Sequence, residues 1–556
     1  MGTSKKSLAA ASARRKVVTG PVAYAVIAIL AAVIYWQAPS FTLDKFDEDI
    51  ILQENMSYLV HTAKASEVVR RDAFFRTPGV MFYRPVQNLS YLLDARIGRG
   101  KATPFYITNI LLHVLASCLV LAMLRRFIGN DVASSLTAAF FAVNPLFVQA
   151  VAWTPGRGDL LMTIFAMAAL LSMHRYMRSG SALWLTVMGV STLLTALSKE
   201  TGIVMAALLP ASWLLLGQPE GGSDRRRLLL ASVVGVLASA MLLALRAVFV
   251  TAPPPRNDFD PMNLVTNLPV FLEIVGKLVS PWLLQPMAGY TLVASLLGVV
   301  VLGLLVWRTA VGSPTTSRKV VMFGLLWYVA FLLPGAMYTH RFGDAAYGYL
   351  EHRGYAAAVG VMLLMSAALG PLVASVSRRT LMLSASAVIL VMTAAGMVHV
   401  AHFASARTFY DRSVQANPHS ALARSNRGQL RLTSGDTTGA ISDYIEAIAA
   451  YPRFVVPHVT LGLVYLNQHR VDSAIAHFRT SYEIDPSIPR VPLFLGNAYA
   501  ELNNLDSARH WYTVMIGMDA SNQDAVLNLG VVDARAGNWL SARNHFTRAI
   551  EINPSS

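Results

Sequence analysis

Phe46-Asp47-Glu48-Asp49-Ile50-Ile51-Leu52-Gln53-Glu54-Asn55 sets three adjacent carboxylates just after an apolar run from Pro21 to Ala38. A helix that only anchors a chain has no need of acids at its end. The meaning of the stretch therefore depends on which side of a membrane it faces and on what else reaches it. The run before it is preceded by Lys5, Lys6, Arg14, Arg15 and Lys16. It is long for the core of a signal peptide and closes on Trp36-Gln37-Ala38-Pro39, with no small-x-small cleavage pattern. It reads as a retained first transmembrane helix with a cytoplasmic basic tail at 1–20.

Composition supports many such spans. Of 556 residues, 54% are hydrophobic and only 14% are charged, which for this length means a series of apolar runs rather than one large soluble core. The runs fall at about 21–38, 106–128, 133–153, 158–176, 183–198, 201–217, 228–250, 287–307, 319–338, 354–376 and 380–402, eleven in all. The stretch 265–285 contains Lys277 and Pro281 and reads as lying in the interface, after a loop with Pro253-Pro254-Pro255. The basic residues test the count. Arg125-Arg126, His174-Arg175 with Arg178, Arg225-Arg226-Arg227, Arg308 with Arg318-Lys319, and Arg378-Arg379 all fall in loops on the N-terminal side. The formal charge of +15 is in large part this orientation signal and does not point to nucleic acid. The single cysteine, Cys118, lies in an apolar run and allows neither a disulfide within the chain nor a zinc cluster.

The tail changes character. Asn417-Pro418, Tyr451-Pro452, Asp485-Pro486, Asp519-Ala520 and Asn553-Pro554 recur every 34 residues. Within each unit Gly428, Gly462, Gly496 and Gly530 share a position, as do Ala440, Ala474, Ala508 and Ala542, and the aromatics Tyr444, Phe478, Tyr512 and Phe546. This is the tetratricopeptide pattern of two helices per repeat. The predicted organisation is all-α: a membrane bundle over 21–403 with an outer loop at 39–105, a linker helix at 404–418, and four repeats at 419–452, 453–486, 487–520 and 521–554 within 419–556. An odd number of spans puts the repeats on the same side of the membrane as the acidic stretch.

Six polar groups fall on that side. Asp47, Glu48 and Asp49 read either as a solvated turn or, flanked by Phe46 and Ile50-Ile51-Leu52, as a general base in a partly apolar cleft. Adjacent acids can also hold a divalent cation. Tyr83-Arg84-Pro85 offers a phosphate clamp in Arg84. Asn109 and His113 are four apart on one helix face, lining a cavity or bonded between helices. Asn144-Pro145, Gln149, Trp153, Gly156, Arg157 and Asp159 follow. Lys199-Glu200 sits in a short turn, either in the cavity or as interfacial charges. Glu351-His352-Arg353-Gly354-Tyr355 comes last, preceded by His340 and Arg341. Acids, arginines and histidines converging there suit an anionic lipid-linked donor and an acceptor hydroxyl. No Walker A, Gly-x-Ser-x-Gly or His-Glu-x-x-His motif occurs, which argues against an ATP-driven pump or a zinc protease.

These residues, in this order, resemble the transmembrane and tetratricopeptide repeat-containing proteins, which are similar to protein O-mannosyltransferases of the glycosyltransferase C superfamily. The anchors are Asp47-Glu48 with Leu52 and Asn55, Tyr83-Arg84-Pro85, Asn109 to His113, Asn144-Pro145 to Trp153, Gly156 to Leu160, Ser198-Lys199-Glu200-Thr201 and Glu351 to Tyr355. The resemblance implies a polyprenyl- or dolichyl-phosphate sugar donor, often mannose, and transfer to a Ser or Thr hydroxyl with inversion. It places the acidic pair on Asp47 and Glu48 and sets Arg353 near the donor phosphate. Three positions depart from the family: Asn144 and Tyr106 stand where it has His, and Gln149 where it has an acid.

The expectations are these. Asp47 and Glu48, with Asp49, are catalytic, and Asp47 and Glu48 would hold any metal. Arg84, Arg157, His352 and Arg353 bind the donor phosphate. Tyr83, Asn109, His113, Asn144, Gln149, Lys199, Glu200, Glu351 and Tyr355 line the cavity. The partners are the lipid-linked sugar and an acceptor polypeptide held by the repeats. The location is a bacterial inner membrane, inferred from short Ala-rich loops, with the repeats outside. Two rival readings are a surface glycan or lipid as acceptor, and a non-catalytic membrane-anchored scaffold for envelope assembly.

Overall fold

The computed structural model describes residues 20–75, 82–217, 223–250, 262–287, 289–310, 315–337, 351–488 and 490–554. Residues 1–19 of the basic tail, Pro253-Pro254-Pro255, and His340 with Arg341 lie outside the described residues. The chain forms two compact units, the first ending at Arg412 and the second beginning at Ser413.

Among its described residues the first unit is built of helices joined by turns and loops, with no strand. Eight helices are long and apolar enough to cross a membrane: Pro21–Ser40, Thr103–Ile128, Thr154–Ser179, Asp224–Phe249, Leu292–Ala310, Arg318–Ala336, Glu351–Ser375 and Arg378–Ala401. A ninth span is broken, Asp131–Ala142 continuing as Pro145–Ala152 after a 45° bend. Asn144 and Pro145 account for the break. The Asn144 side chain accepts from Leu146 N–H, capping the second piece, and Pro145 opens that piece where its missing N–H is harmless. The shorter apolar helices Ala182–Ser198 and Glu200–Leu216 complete the series. In order, these match the eleven runs. The chain is a multi-pass membrane protein.

Two features were not legible as such. The outer loop contains the helix Pro85–Gly98, which buries Gln87, Asn88, Tyr91 and Asp94 while Leu89, Leu93 and Ile97 are exposed. Its amphipathicity is reversed, polar side inward. The stretch 265–285 holds the short helix Val270–Val279 and a 3-10 turn at Pro281–Leu283. Lys277 on it does not reach an interface. It is buried between Glu273 and Glu351, 2.9 Å from each carboxylate.

The second unit contains four helix pairs: Ala421–Thr433 with Thr437–Ala450, Val455–Asn467 with Val471–Ile484, Val491–Glu501 with Leu505–Met518, and Gln523–Arg535 with Trp539–Ile552. The repeated glycine lets each pair close on its aromatic. A Cβ at Gly462 would come within 2.4 Å of the Phe478 ring. Tyr444, Phe478 and Tyr512 are buried in one continuous core with Ala440, Ala474 and Ala508.

Candidate active site

Helix ends in the first unit surround a cavity of about 290 Å³. Asp47, Arg84, Lys199, Glu200, His352 and Arg353 line it, joined by Gln87, Trp153 and Asp159. Aromatic and aliphatic groups, among them Phe82, Met162, Ile203 and Phe331, form the rest of the wall. Five of the six polar groups in the sequence therefore contribute directly, all but Asn109 with His113.

The three acids part company. Asp47 faces the cavity, and burial, reinforced by the nearby Asp49 charge and opposed by the Arg84 guanidinium, pushes its carboxyl up to about 6. The turn that aims it is strained. Phe46 has φ 49°, a left-handed conformation that non-glycine residues avoid, and its N–H donates to the Tyr410 hydroxyl at 3.0 Å. Glu48 points the other way and is fully buried. It pairs with Lys45 at 2.8 Å and accepts from the N–H and hydroxyl of Thr154. Tyr106, the departure from His, joins this knot, accepting from Lys45 Nζ at 2.9 Å and donating to the Thr42 carbonyl at 2.7 Å. Asp49 is exposed, and its side chain accepts from Ile50 N–H. Of the three acids expected at the site, only Asp47 lines the cavity.

That geometry also bears on the metal expectation. Glu48 is committed to Lys45 and Thr154, so the adjacent pair does not present two carboxylates to one ion. Among the described residues no three His, Cys, Asp or Glu converge as a metal site requires.

The cations are differently constrained. Arg84 is tied to Glu200 (Nε to Oε2, 3.0 Å), whose other oxygen accepts from Tyr83 N–H. Lys199 ends the helix Ala182–Ser198 and meets both oxygens of Asp159, at 2.8 and 2.7 Å. Burial brings its amine down to about 8, with the Asp159 carboxylate opposing and Arg84 and Arg353 adding to the fall. Arg353 donates to the Gly335 carbonyl at 3.3 Å. His352 stacks near Trp153 and lies 3.8 Å from Asp159. Arg84, Lys199 and Arg353 thus cluster at a site with low-dielectric walls, the first two already balanced by Glu200 and Asp159, and a group of cations in such a place suits a phosphate.

Other expected residues sit behind the cavity. Arg157 is fully buried. It binds Asp94 (2.6 Å), the Asn109 side-chain oxygen (2.7 Å), the Phe105 carbonyl (2.7 Å) and the Ser90 hydroxyl (3.1 Å), and it does not line the cavity. Asn109 completes that network by donating to Val151 O. His113 bridges the Tyr355 hydroxyl (2.8 Å) and the Ala142 carbonyl (3.1 Å), which is the inter-helix bond rather than a cavity role for both residues. Asn144 donates to Leu278 O. Glu351 holds Lys277. Tyr83 stacks on Phe249. Gln149 donates to Pro286 O and accepts from His352 N–H at 2.9 Å, so it supports the turn bearing His352 and Arg353.

Gln87 was not singled out from the sequence, and Trp153 and Asp159, named there in the group that begins at Asn144, were given no role at the site. Asp159 was within reach: it is two residues from Arg157 and so lies on a different helix face. Gly156 lets the turn just before Arg157 pass close to Ala150, since a Cβ there would lie 2.7 Å from the Ala150 backbone.

A polytopic bundle that brings a cavity-facing acid and three cations together at its helix ends, followed by tetratricopeptide repeats, defines the class. Residues 85–251 match the family model for dolichyl-phosphate-mannose-protein mannosyltransferases, and residues 400–453 and 459–525 match a tetratricopeptide repeat model. The chain is similar to protein O-mannosyl-transferases of the TMTC type. It is 22% identical to Protein O-mannosyl-transferase TMTC3 of Mus musculus over 83% of this chain and 55% of that one. The Homo sapiens TMTC3 is likewise 22% identical, over 82% and 54%. Protein O-mannosyl-transferase Tmtc2 of Drosophila melanogaster is 34% identical over 32% of this chain and 19% of its own. The chain spans about half the length of the TMTC3 relatives.

Proposed function

We propose that this chain is an inverting glycosyltransferase that moves a sugar, with mannose the first candidate, from a polyprenyl-phosphate donor to Ser or Thr hydroxyls of exported polypeptides. The observation that carries the reading is that Asp47 shares one cavity with Arg84, Lys199 and Arg353. The acceptor oxygen attacks the anomeric carbon as Asp47 takes its proton. The bond from that carbon to the phosphate oxygen breaks, and polyprenyl phosphate leaves with the electron pair, stabilised by the three cations. An aspartate with its pKa near 6 is ionised at neutral pH and is a stronger base than an ordinary one.

The repeats hold the acceptor and raise its local concentration. The span count and loop charges support a reading with Asp47 and the repeats on the outer side, and the short Ala-rich loops support a bacterial inner membrane as the location. The names and mannosyltransferase family of the relatives support the chemistry. The experiment is transfer in membranes supplied with lipid-linked sugar: Asp47→Asn abolishes it while the protein still folds. Undiminished transfer by that variant would leave Asp47 without its role, and no transfer by the unaltered protein with any lipid-linked donor would favour the scaffold.

A further inference from the structure

Two polar atoms of cavity-lining residues have no partner in the protein. Gln87 Oε1 and Trp153 Nε1 are both buried and make no hydrogen bond. Gln87 is 1% exposed and Trp153 4%. Buried amide and indole groups are nearly always paired in native proteins, so an orphaned acceptor and an orphaned donor in the residues of one cavity are open to a ligand.

Neighbours fix the Gln87 amide. The Tyr91 hydroxyl donates to the Thr154 carbonyl at 2.9 Å, which uses its only proton. Towards Gln87, 2.8 Å away, it can only accept, so the atom facing it is Nε2. A flipped amide would set two acceptors together. Oε1 is held instead beside Gly158, where an added Cβ would lie 2.6 Å from it. The glycine leaves room for Oε1 to sit there. The Trp153 ring is held between Phe46, with centroids 5.9 Å apart, and His352, at 5.1 Å.

We propose that Gln87 Oε1 and Trp153 Nε1 recognise hydroxyls of the transferred sugar, Gln87 accepting from one and Trp153 donating to another, and so set which sugar is used. This rests on the glycosyltransferase reading. A carbonyl oxygen repels phosphate, which has Arg84, Lys199 and Arg353. The acceptor hydroxyl gives its proton to Asp47. What remains in such a cavity with several hydroxyls is the sugar ring. A site built to bond a hydroxyl discriminates strongly against an analogue that lacks it.

The test is a cycle between protein and substrate, using the full chain and polyprenyl-phosphate sugars that each lack one ring hydroxyl. In the unaltered protein, removing the hydroxyl read by Gln87 lowers kcat/KM by about tenfold or more. In Gln87→Met the same deletion changes it by less than about twofold. Trp153→Phe behaves likewise with a second hydroxyl and carries the test if Gln87→Met does not accumulate. Equal sensitivity of both variants and the unaltered protein to every deoxy donor overturns the proposal, as does coupling to the acceptor peptide in place of the sugar. Absence of transfer by the unaltered protein with every donor overturns the glycosyltransferase reading itself.

Discussion

Glu48 Oε1 accepts hydrogen bonds from both the N–H (2.8 Å) and the hydroxyl (3.0 Å) of Thr154, while its other oxygen pairs with buried Lys45. This fastens the acidic loop to the turn that begins the helix with Asp159. Glu48→Gln leaves Lys45 buried opposite a neutral amide, and breaking a buried pair from one side destabilises by roughly 3–5 kcal/mol. Asp47→Asn does the opposite. The folded-state pKa of Asp47 is raised, so its ionisation weakens the fold as pH climbs from the usual carboxylate range through about 6. An amide removes that penalty above pH 6. Thermal unfolding in detergent is expected to give a lower Tm for Glu48→Gln and an unchanged or higher one for Asp47→Asn. Transfer is expected to fall by about a hundredfold or more only in Asp47→Asn at equal folded protein. The reverse pattern would make Glu48 the base.

The pH profile follows from the same carboxyl. The base works ionised, so kcat/KM should fall on the acid side with an apparent pKa near 6. The Asp49 charge raises that value and Arg84 lowers it. Asp49→Asn should therefore move the acid limb to lower pH with little loss of rate on the plateau. Arg84→Gln should move it to higher pH and lower the plateau as well, because the phosphate loses a cation. An acid limb unmoved by Asp49→Asn would mean that another group titrates.

Arg157 and Arg353 test which arginine meets the donor. Arg157 is bound to Asp94, Asn109, Phe105 and Ser90. A lysine lacks the forked geometry to satisfy them all. Arg157→Lys should lower Tm, at a cost of about 3 kcal/mol for a broken buried network, and leave the donor KM of the folded fraction unchanged. Arg353→Lys should fold normally and raise the donor KM by about tenfold, through loss of bidentate contact. A raised donor KM with an unchanged Tm for Arg157→Lys would place Arg157 on the phosphate.

The contrast shows what the sequence could carry. Apolar runs and loop charges record a solvent boundary, so the eleven helices and their order were legible. The repeats were legible because Gly462 and its equivalents must leave room for an aromatic, and that constraint recurs every 34 residues. The helix Pro85–Gly98 was missed because it turns Gln87, Tyr91 and Asp94 inward and Leu89, Leu93 and Ile97 outward, the reverse of the pattern for a soluble core. The cavity was legible as a set of residue types but not as a set of contacts. Asp47 and Glu48 are neighbours in the chain and diverge in space. Arg157 and Lys199 are both cations, yet only Lys199 reaches the cavity, because the Asp94 that engages Arg157 is 63 positions away and no local spacing reveals it.

Gln149 occupies the position where the resemblance expects an acid, and its contacts explain why an amide serves here. Its Nε2 donates to the Pro286 carbonyl at 3.2 Å and its Oε1 accepts from His352 N–H at 2.9 Å. A carboxylate keeps the second bond and loses the first, setting two acceptors against each other in a buried place. Gln149→Glu is therefore expected to loosen the turn that carries His352 and Arg353, with a loss of about 1–3 kcal/mol in stability and a raised donor KM. Gln149→Met removes both bonds and should cost at least as much. Measuring Tm and donor KM for the pair separates two accounts of the position. If Gln149→Glu transfers sugar faster than the unaltered protein, an acid at 149 does chemical work that this chain has given up. If both variants lose donor affinity together, position 149 acts through the placement of Arg353, and the amide suits its neighbour Pro286.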